Sequence, residues 1–151
     1  MAESEKPDFV SLWQRYQNLD KGQKAELRRL QQPDDLVELP VFYALFSGTR
    51  PSKQHRRIAY LLSVCSHKEG SKSVGAQLAE KNISEMRLTQ VIRSEYPNDL
   101  IQFRRICQHA ELTADWNHLG DTLWYWGDDA KRKILEDYFV TRYAGKTTGG
   151  Q

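Results

Sequence analysis

The chain has 151 residues, of which 39% are hydrophobic and 11% aromatic, enough apolar side chains for a buried core and an argument against a disordered protein. Its N-terminal stretch MAESEKPDF lacks the apolar run of a signal peptide. No segment approaches the roughly 20 apolar residues that cross a bilayer. We therefore expect a cytoplasmic protein without membrane contact, folded as one domain or two small subdomains.

The charge of the chain is unevenly distributed. The formal net charge is only +2, which does not by itself indicate a nucleic-acid-binding protein. Residues 50–109, however, contain 11 Lys and Arg against 5 Asp and Glu, whereas the remainder contains 11 against 15. An asymmetry of this kind can give a near-neutral protein one basic surface.

Apolar residues at helical spacing, such as Phe9 and Leu12, predict a helical bundle over residues 1–67. After a charged lead-in at residues 1–7, helices are expected at about residues 8–19 and 23–30. Two short helices are expected to begin at Pro33 and Pro40, and a longer one is expected over about residues 52–67. The second of these helices exposes the adjacent Arg28 and Arg29. The polar loop HKEGSKS that follows is the predicted subdomain boundary.

The rest of the chain is also predicted to be helical. Helices are expected at about residues 74–81, twice within residues 83–111 with a break at Tyr96-Pro97, and at about residues 115–127 and 128–144. No segment alternates with a period of two, so no strand is expected. The prediction is an all-α fold of about nine helices in two packed bundles, residues 1–67 and 74–145, with a flexible tail at residues 146–151.

The two helices within residues 83–111 place arginines away from their apolar stripes. On a helical wheel, Arg93 points opposite the apolar face of the first helix and Arg87 flanks it. In the second helix Arg105 lies opposite the stripe and Arg104 lies at its border. Guanidinium groups present a two-donor fork that fits a phosphate. This pair of helices therefore predicts a site for nucleic-acid phosphates.

Other uses of these side chains stay open. Exposed arginines often serve as solvated groups or salt-bridge partners, and protein interfaces are rich in arginine and aromatic residues. Trp124 and Tyr125 fall off the apolar face of their helix, where they either stack on single-stranded bases or pack against the other subdomain or a partner. A purely protein–protein scaffold is therefore the alternative function.

Metal-ligating residue types occur together in one stretch of the chain, at His109, Glu111, Asp115 and His118. Their spacing is neither HExxH nor any pairing that puts ligands at i, i+4 on one helix face, and a predicted helix break falls among them. Helix caps and exposed polar residues are the favoured interpretation over a metal-dependent hydrolase. No motif for catalysis or a cofactor is present. Cys65 and Cys107, which form no CxxC, are expected to be buried.

Five stretches of the sequence resemble, in this order, the CasB family, the small subunit of the type I-E CRISPR complex Cascade. They are LRRLQQPDDLVELPVFYAL, LTQVIRS, DLIQFRRICQHAE, DWNHLGDTLWYWG and ILEDYF. The resemblance spans residues 13–139 and implies an all-α protein of two helical bundles without enzyme activity. It implies two copies lying head to tail, in contact with the backbone subunits that carry the crRNA and with the large subunit. The implied role is to support R-loop formation and hold the displaced non-target DNA strand on a basic surface.

The resemblance also implies where this family's nucleic-acid-binding residues lie in the chain. In the N-terminal half they fall on Arg28, Arg29 and one of three candidates, Lys53, Arg56 and Arg57. In the C-terminal half they fall on Arg87, Arg93, Arg104, Arg105 and Lys131. Two departures stand beside these matches. The HKEGSKS loop is shorter than the basic insertion frequent in the family, and Asp128 and Asp129 replace basic residues after the Trp-Gly pair.

Overall fold

The computed structural model describes the backbone of residues 6–149 and the side chains of residues 6–144. Within that range the chain forms nine α-helices, one 3₁₀ helix and one pair of two-residue strands. The prediction of a predominantly helical fold with about nine helices is therefore confirmed. Of the predicted charged lead-in, residues 1–5 lie outside the described part. No described helix is both long and apolar enough to cross a bilayer.

The N-terminal half contains α1 (Phe9–Gln17), α2 (Lys21–Arg28), the 3₁₀ helix (Pro33–Glu38), α3 (Pro40–Leu45) and α4 (Lys53–Leu62). Side-chain caps define where the first two helices begin. The carboxylate of Asp8 accepts from the backbone N–H of Ser11. Asp20 and Gln23 form a reciprocal capping box at the start of α2. Such caps stabilise a helix by about 1 kcal/mol each.

The C-terminal half contains α5 (Val74–Glu80), α6 (Glu85–Arg93), α7 (Asn98–His109), α8 (Trp116–Trp124) and α9 (Asp128–Gly149). The predicted break at Tyr96-Pro97 separates α6 from α7. Helix α9 runs past its predicted end near residue 144, and only residues 150–151 of the predicted flexible tail lie outside the described part. Once a helix is formed, each further residue adds a hydrogen bond, so Gly145 alone, at a cost of about 1 kcal/mol, does not end it.

One pair of short strands was not expected from the sequence. Strands β1 (Ser66–His67) and β2 (Thr113–Ala114) pair in parallel. Two residues are too few to show an alternating pattern, which explains why the sequence gives no strand signal. The side-chain amide of Gln77 donates to the carbonyl of Thr113 at 2.6 Å, which ties α5 to β2.

The buried apolar residues of both halves belong to one core. Helix α8 packs against α1 and α4 of the N-terminal half. The ring of Trp124 lies 6.2 Å from that of Phe9 and 5.0 Å from that of His55. Cys65 and Cys107 are buried in the same core, as expected. The division into two bundles at the loop of residues 67–73 stays a prediction, because α8 joins the core of both halves.

Candidate nucleic-acid interface

A groove between α6 and α7 brings three of the predicted arginines together. The apolar stripe of each helix is buried, so the opposite faces look outward. Arg87, Arg93 and Arg105 are all exposed, and all three line an open groove of about 930 Å³. Its other walls include the exposed Met86 and the carboxylate of Glu85. The side chains described for this groove include no aromatic ring.

A second groove, of about 500 Å³, adjoins the first. It lies between the end of α2 and α7. Its exposed cations are Arg28, Arg29 and Arg105, and the buried Arg104 lies in its wall. Among the described residues, no carboxylate lines it. Arg105 belongs to both grooves, so the cations of α2 continue those of α6 and α7. The N-terminal and C-terminal halves therefore both contribute to one row of positive charge.

A third groove, also of about 500 Å³, adjoins the first on the other side. It shares Arg93 with the first groove, and Lys53 and Arg57 at the start of α4 line it as well. Glu95 and Asp128 also line it, so its charge is mixed. This groove extends the row of cations toward α4 at a lower density of positive charge.

We name the exposed cations of these grooves the arginine track: Arg28, Arg29, Lys53, Arg87, Arg93 and Arg105. Within the described residues, none of the six side chains takes part in an ion pair or a side-chain hydrogen bond. Unpaired guanidinium groups keep all their donors available to an anion. The track is therefore an arrangement of free cations along three adjoining grooves.

The other predicted cations of α4, Arg56 and Arg57, both bind partners within the same chain. Arg56 forms an ion pair of 2.6 Å with Asp34, which also accepts from the hydroxyl of Tyr96. The hydrogen bond from Tyr96, together with Arg56, holds the pKa of Asp34 below its usual range. Burial, with Asp34 beside it, raises the pKa of Tyr96. Arg57 donates to the last carbonyls of α8, and burial lowers the pKa of its guanidinium.

The position of Arg104 at the border of the apolar stripe predicted an exposed side chain, but the side chain is buried. It is only 6% exposed, and its guanidinium donates to the carbonyls of Leu27 at 2.9 Å and Leu30 at 2.7 Å. A further bond of 3.0 Å reaches the carbonyl of Tyr60. The end of α2 covers this part of α7, which a wheel of one helix does not show. A direct phosphate contact by Arg104 does not fit this burial.

Lys131 is buried as well, at 5% exposure. Its ammonium lies 3.0 Å from the carboxylate of Asp99 and donates to the carbonyl of Ser94 at 2.9 Å. The indole N–H of Trp126 donates to the same carboxylate at 2.9 Å. This buried ion pair links α9 to the first turn of α7. The predicted contact of Lys131 with nucleic acid does not fit this placement either.

The two aromatic residues at the end of α8 occupy different environments. Trp124 is 2% exposed and packs in the core, so it is not available to stack on bases. This placement matches the alternative in which it packs against the other half of the chain. Tyr125 is 62% exposed, and the ammonium of Lys6 lies 5.3 Å from its ring centroid.

The stretch of metal-ligating residue types does not form a cluster. His109 and Glu111 are exposed near the end of α7. The carboxylate of Asp115 accepts from the backbone N–H of Asn117 at the start of α8 and from that of Gly70 in the loop after β1. The imidazole of His118 lies 3.9 Å from that carboxylate. Within the described part of the chain, no three potential ligands lie close enough to hold a metal ion.

Burial of Arg104 was missed although a signal for it existed. Arg104 follows Leu100 by four residues and precedes Cys107 by three, which is the spacing of a buried stripe. Burial of a charge that has no partner is unfavourable. Because the sequence indicated no partner for Arg104, its side chain was expected to be exposed to solvent. The partners are backbone carbonyls of α2 and α4, which have no sequence signature.

Comparisons with known proteins identify the family of this chain. A family model described as CRISPR-associated protein Cse2 matches residues 23–139. The Cascade subunit CasB of Escherichia coli K12 is 33% identical over 150 residues, covering 89% of this chain and 94% of the relative. A chain in the crystal structure of E. coli Cascade bound to a PAM-containing double-stranded DNA target superposes with a TM-score of 0.86 and 32% identity, covering 93% of this chain and 99% of that chain. This chain therefore belongs to the CRISPR-associated Cse2 family.

Proposed function

We propose that the protein is a non-enzymatic subunit of a type I-E Cascade complex that holds the displaced non-target DNA strand and thereby stabilises the R-loop. The observation that carries this proposal is the arginine track, six exposed cations along adjoining grooves that form no ion pair with any residue the structure describes. The similarity to a CasB chain in a DNA-bound Cascade supports the same assembly. The partners are the crRNA, the target DNA, the backbone and large subunits of the complex, and a second copy of this chain.

The side chains of the first groove, between α6 and α7 (the central groove of the track), favour contact with the sugar-phosphate backbone. Arg87, Arg93 and Arg105 supply charge, and Gln90 and Gln102 supply amide groups. Since no aromatic ring lines the groove, bases have no stacking platform there. Contacts of this kind are independent of sequence and weaken steeply with salt. Sequence recognition is left to base pairing with the guide RNA.

Removing two central arginines tests the proposal. In single-stranded DNA each phosphate contact changes the salt slope of binding by about 0.7 and therefore contributes about fivefold to affinity at 0.1 M salt. We expect the variant Arg93→Ala with Arg105→Ala to bind fluorescein-labelled oligo(dT) about 25-fold more weakly, with a slope reduced by about 1.4. The control, Lys68→Ala with Arg132→Ala, removes two exposed cations that lie outside the track. Equal losses in both double variants would sink the proposal.

A purely protein–protein scaffold is the second candidate function. The observation that favours it is the exposure of apolar side chains, above all Met86 at 72% within the central groove. In a scaffold the arginines bridge acidic partner proteins, and DNA is not a ligand. A filter-binding assay at low salt separates the two functions. A scaffold would retain no oligo(dT) on the filter at any salt concentration.

A further inference from the structure

The guanidinium of Arg104 is a buried cation without a carboxylate partner among the described residues. Its donors meet backbone carbonyls at the end of α2, and one of them also meets the hydroxyl of Ser63 after α4. The C-terminal end of a helix carries partial negative charge, which stabilises a cation there. The ring of Tyr60 lies 4.7 Å from the guanidinium carbon and adds a cation–π contact.

These hydrogen bonds hold the backbone on both sides of the α2 arginines. Arg104 binds the carbonyls of Leu27 and Arg28, which precede Arg29, and the carbonyl of Leu30, which follows it. The next residue of α7 is Arg105, the cation that joins the first and second grooves. One buried side chain therefore fixes the cations of the N-terminal half relative to those of the C-terminal half.

We propose that Arg104 is a positioning residue for the arginine track. It holds Arg28 and Arg29 beside Arg105, so that the three exposed guanidinium groups face one groove and meet neighbouring phosphates of the same strand. This inference rests on the proposed function and deepens it. Binding of the strand then depends on a residue that itself touches no phosphate.

Arginine is the side chain that this position requires. Its carbonyl partners are spread over α2 and α4, and a planar guanidinium with five donors reaches them in different directions at once. A lysine has three donors on a single nitrogen and satisfies fewer of these carbonyls. The variant Arg104→Lys keeps a charge and some hydrogen bonds, whereas Arg104→Met removes both and keeps much of the apolar stem.

A double-mutant cycle tests the positioning role. The full-length protein is compared with Arg104→Met, with Arg28→Ala plus Arg29→Ala, and with the triple variant, by binding to fluorescein-labelled oligo(dT) over a range of salt. We expect Arg104→Met to weaken binding by about 5- to 25-fold and to reduce the salt slope by about 0.7 to 1.4. In the background that lacks Arg28 and Arg29, the same change should alter affinity by less than about twofold. Equal effects of Arg104→Met in both backgrounds would overturn the inference.

Far-UV circular dichroism accompanies each measurement, because Arg104→Met removes several buried hydrogen bonds. If that variant does not fold, Arg104→Lys replaces it in the same cycle, with the same expected coupling to Arg28 and Arg29. The failure of the proposed function looks different. In that case the variant Arg93→Ala with Arg105→Ala has the same salt slope as the wild type. If only the positioning role is wrong, this variant still has a reduced salt slope, but the effects of Arg104→Met and of Arg28→Ala plus Arg29→Ala on affinity are additive.

Discussion

The buried ion pair between Lys131 and Asp99 yields a prediction whose size follows from the structure. Both side chains are buried, with the ammonium 3.0 Å from the carboxylate. The variant Lys131→Met removes the ion-pair partner of the buried carboxylate. Among the described residues it leaves two neutral hydrogen-bond donors, the indole of Trp126 and the backbone N–H of Leu100, and the more distant charge of Arg57. It also removes the ammonium donor from the carbonyl of Ser94.

Breaking one side of a buried ion pair costs about 3–5 kcal/mol of unfolding free energy. For a chain of this size the same loss lowers the Tm by roughly 6–20 °C. The additional change Asp99→Asn should recover much of the loss, because it removes a buried charge that has lost its ion-pair partner and keeps an acceptor for Trp126. The control is Lys133→Met, whose ion pair with Asp137 is exposed on the lysine side and contributes less than about 1 kcal/mol.

Urea denaturation followed by far-UV circular dichroism measures all three variants. The midpoint should fall strongly for Lys131→Met, partly recover with Asp99→Asn, and change little for Lys133→Met. Two results would refute the reasoning. One is a loss for Lys131→Met as small as that of the control, which would mean that its ammonium is solvated. The other is a double variant as unstable as the single one.

Three further predictions address packing, pH and charge. A Cβ at Gly120 would lie 2.1 Å from the ring of Phe9, so Gly120→Ala should cost about 1–3 kcal/mol of stability. Burial lowers the pKa of His55 below its ordinary 6.5, so the unfolded chain takes up a proton first as the pH falls. Stability should therefore decline from about pH 6.5 down to the folded pKa, and His55→Gln should flatten this decline. Asp34→Asn releases Arg56 and should strengthen oligo(dT) binding by about fivefold.

Each of these changes has a matched control. Gly127→Ala places a Cβ no closer than 3.9 Å to another atom and should leave the urea midpoint nearly unchanged. His109→Gln removes an exposed histidine and should keep the decline with pH. Asp129→Asn removes an exposed carboxylate that forms no ion pair within the described residues, and should leave oligo(dT) affinity unchanged. A control that behaves like its test variant would contradict the corresponding prediction.

Helical periodicity was sufficient to predict the fold class and the orientation of the most informative arginines. Leu88 and Phe103 are buried as their stripes require, and Arg93 and Arg105, which point farthest from those stripes, are exposed. A repeat of 3.6 residues fixes which face of a helix is apolar. It therefore also fixes which residues point away from the core. The strand pair is too short to leave any such pattern.

The periodicity of one helix contains no information about what another helix covers. Arg104 and Lys131 were predicted to contact nucleic acid, and both are buried against elements distant in sequence. Trp124 lies off the stripe of α8, yet the N-terminal half of the chain covers it. The burial of all three side chains has one cause, which is tertiary packing between elements far apart in the chain. The common groove of Arg28 and Arg105 was beyond prediction for the same reason.

The salt dependence of wild-type binding to oligo(dT) tests the central claim most directly. Six unpaired cations at about 0.7 each predict that the logarithm of the binding constant falls with the logarithm of salt concentration with a slope of about −4. We predict a slope close to this value for the full-length protein. A slope near zero, or no binding at low salt, would contradict the claim that the arginine track holds a nucleic-acid strand.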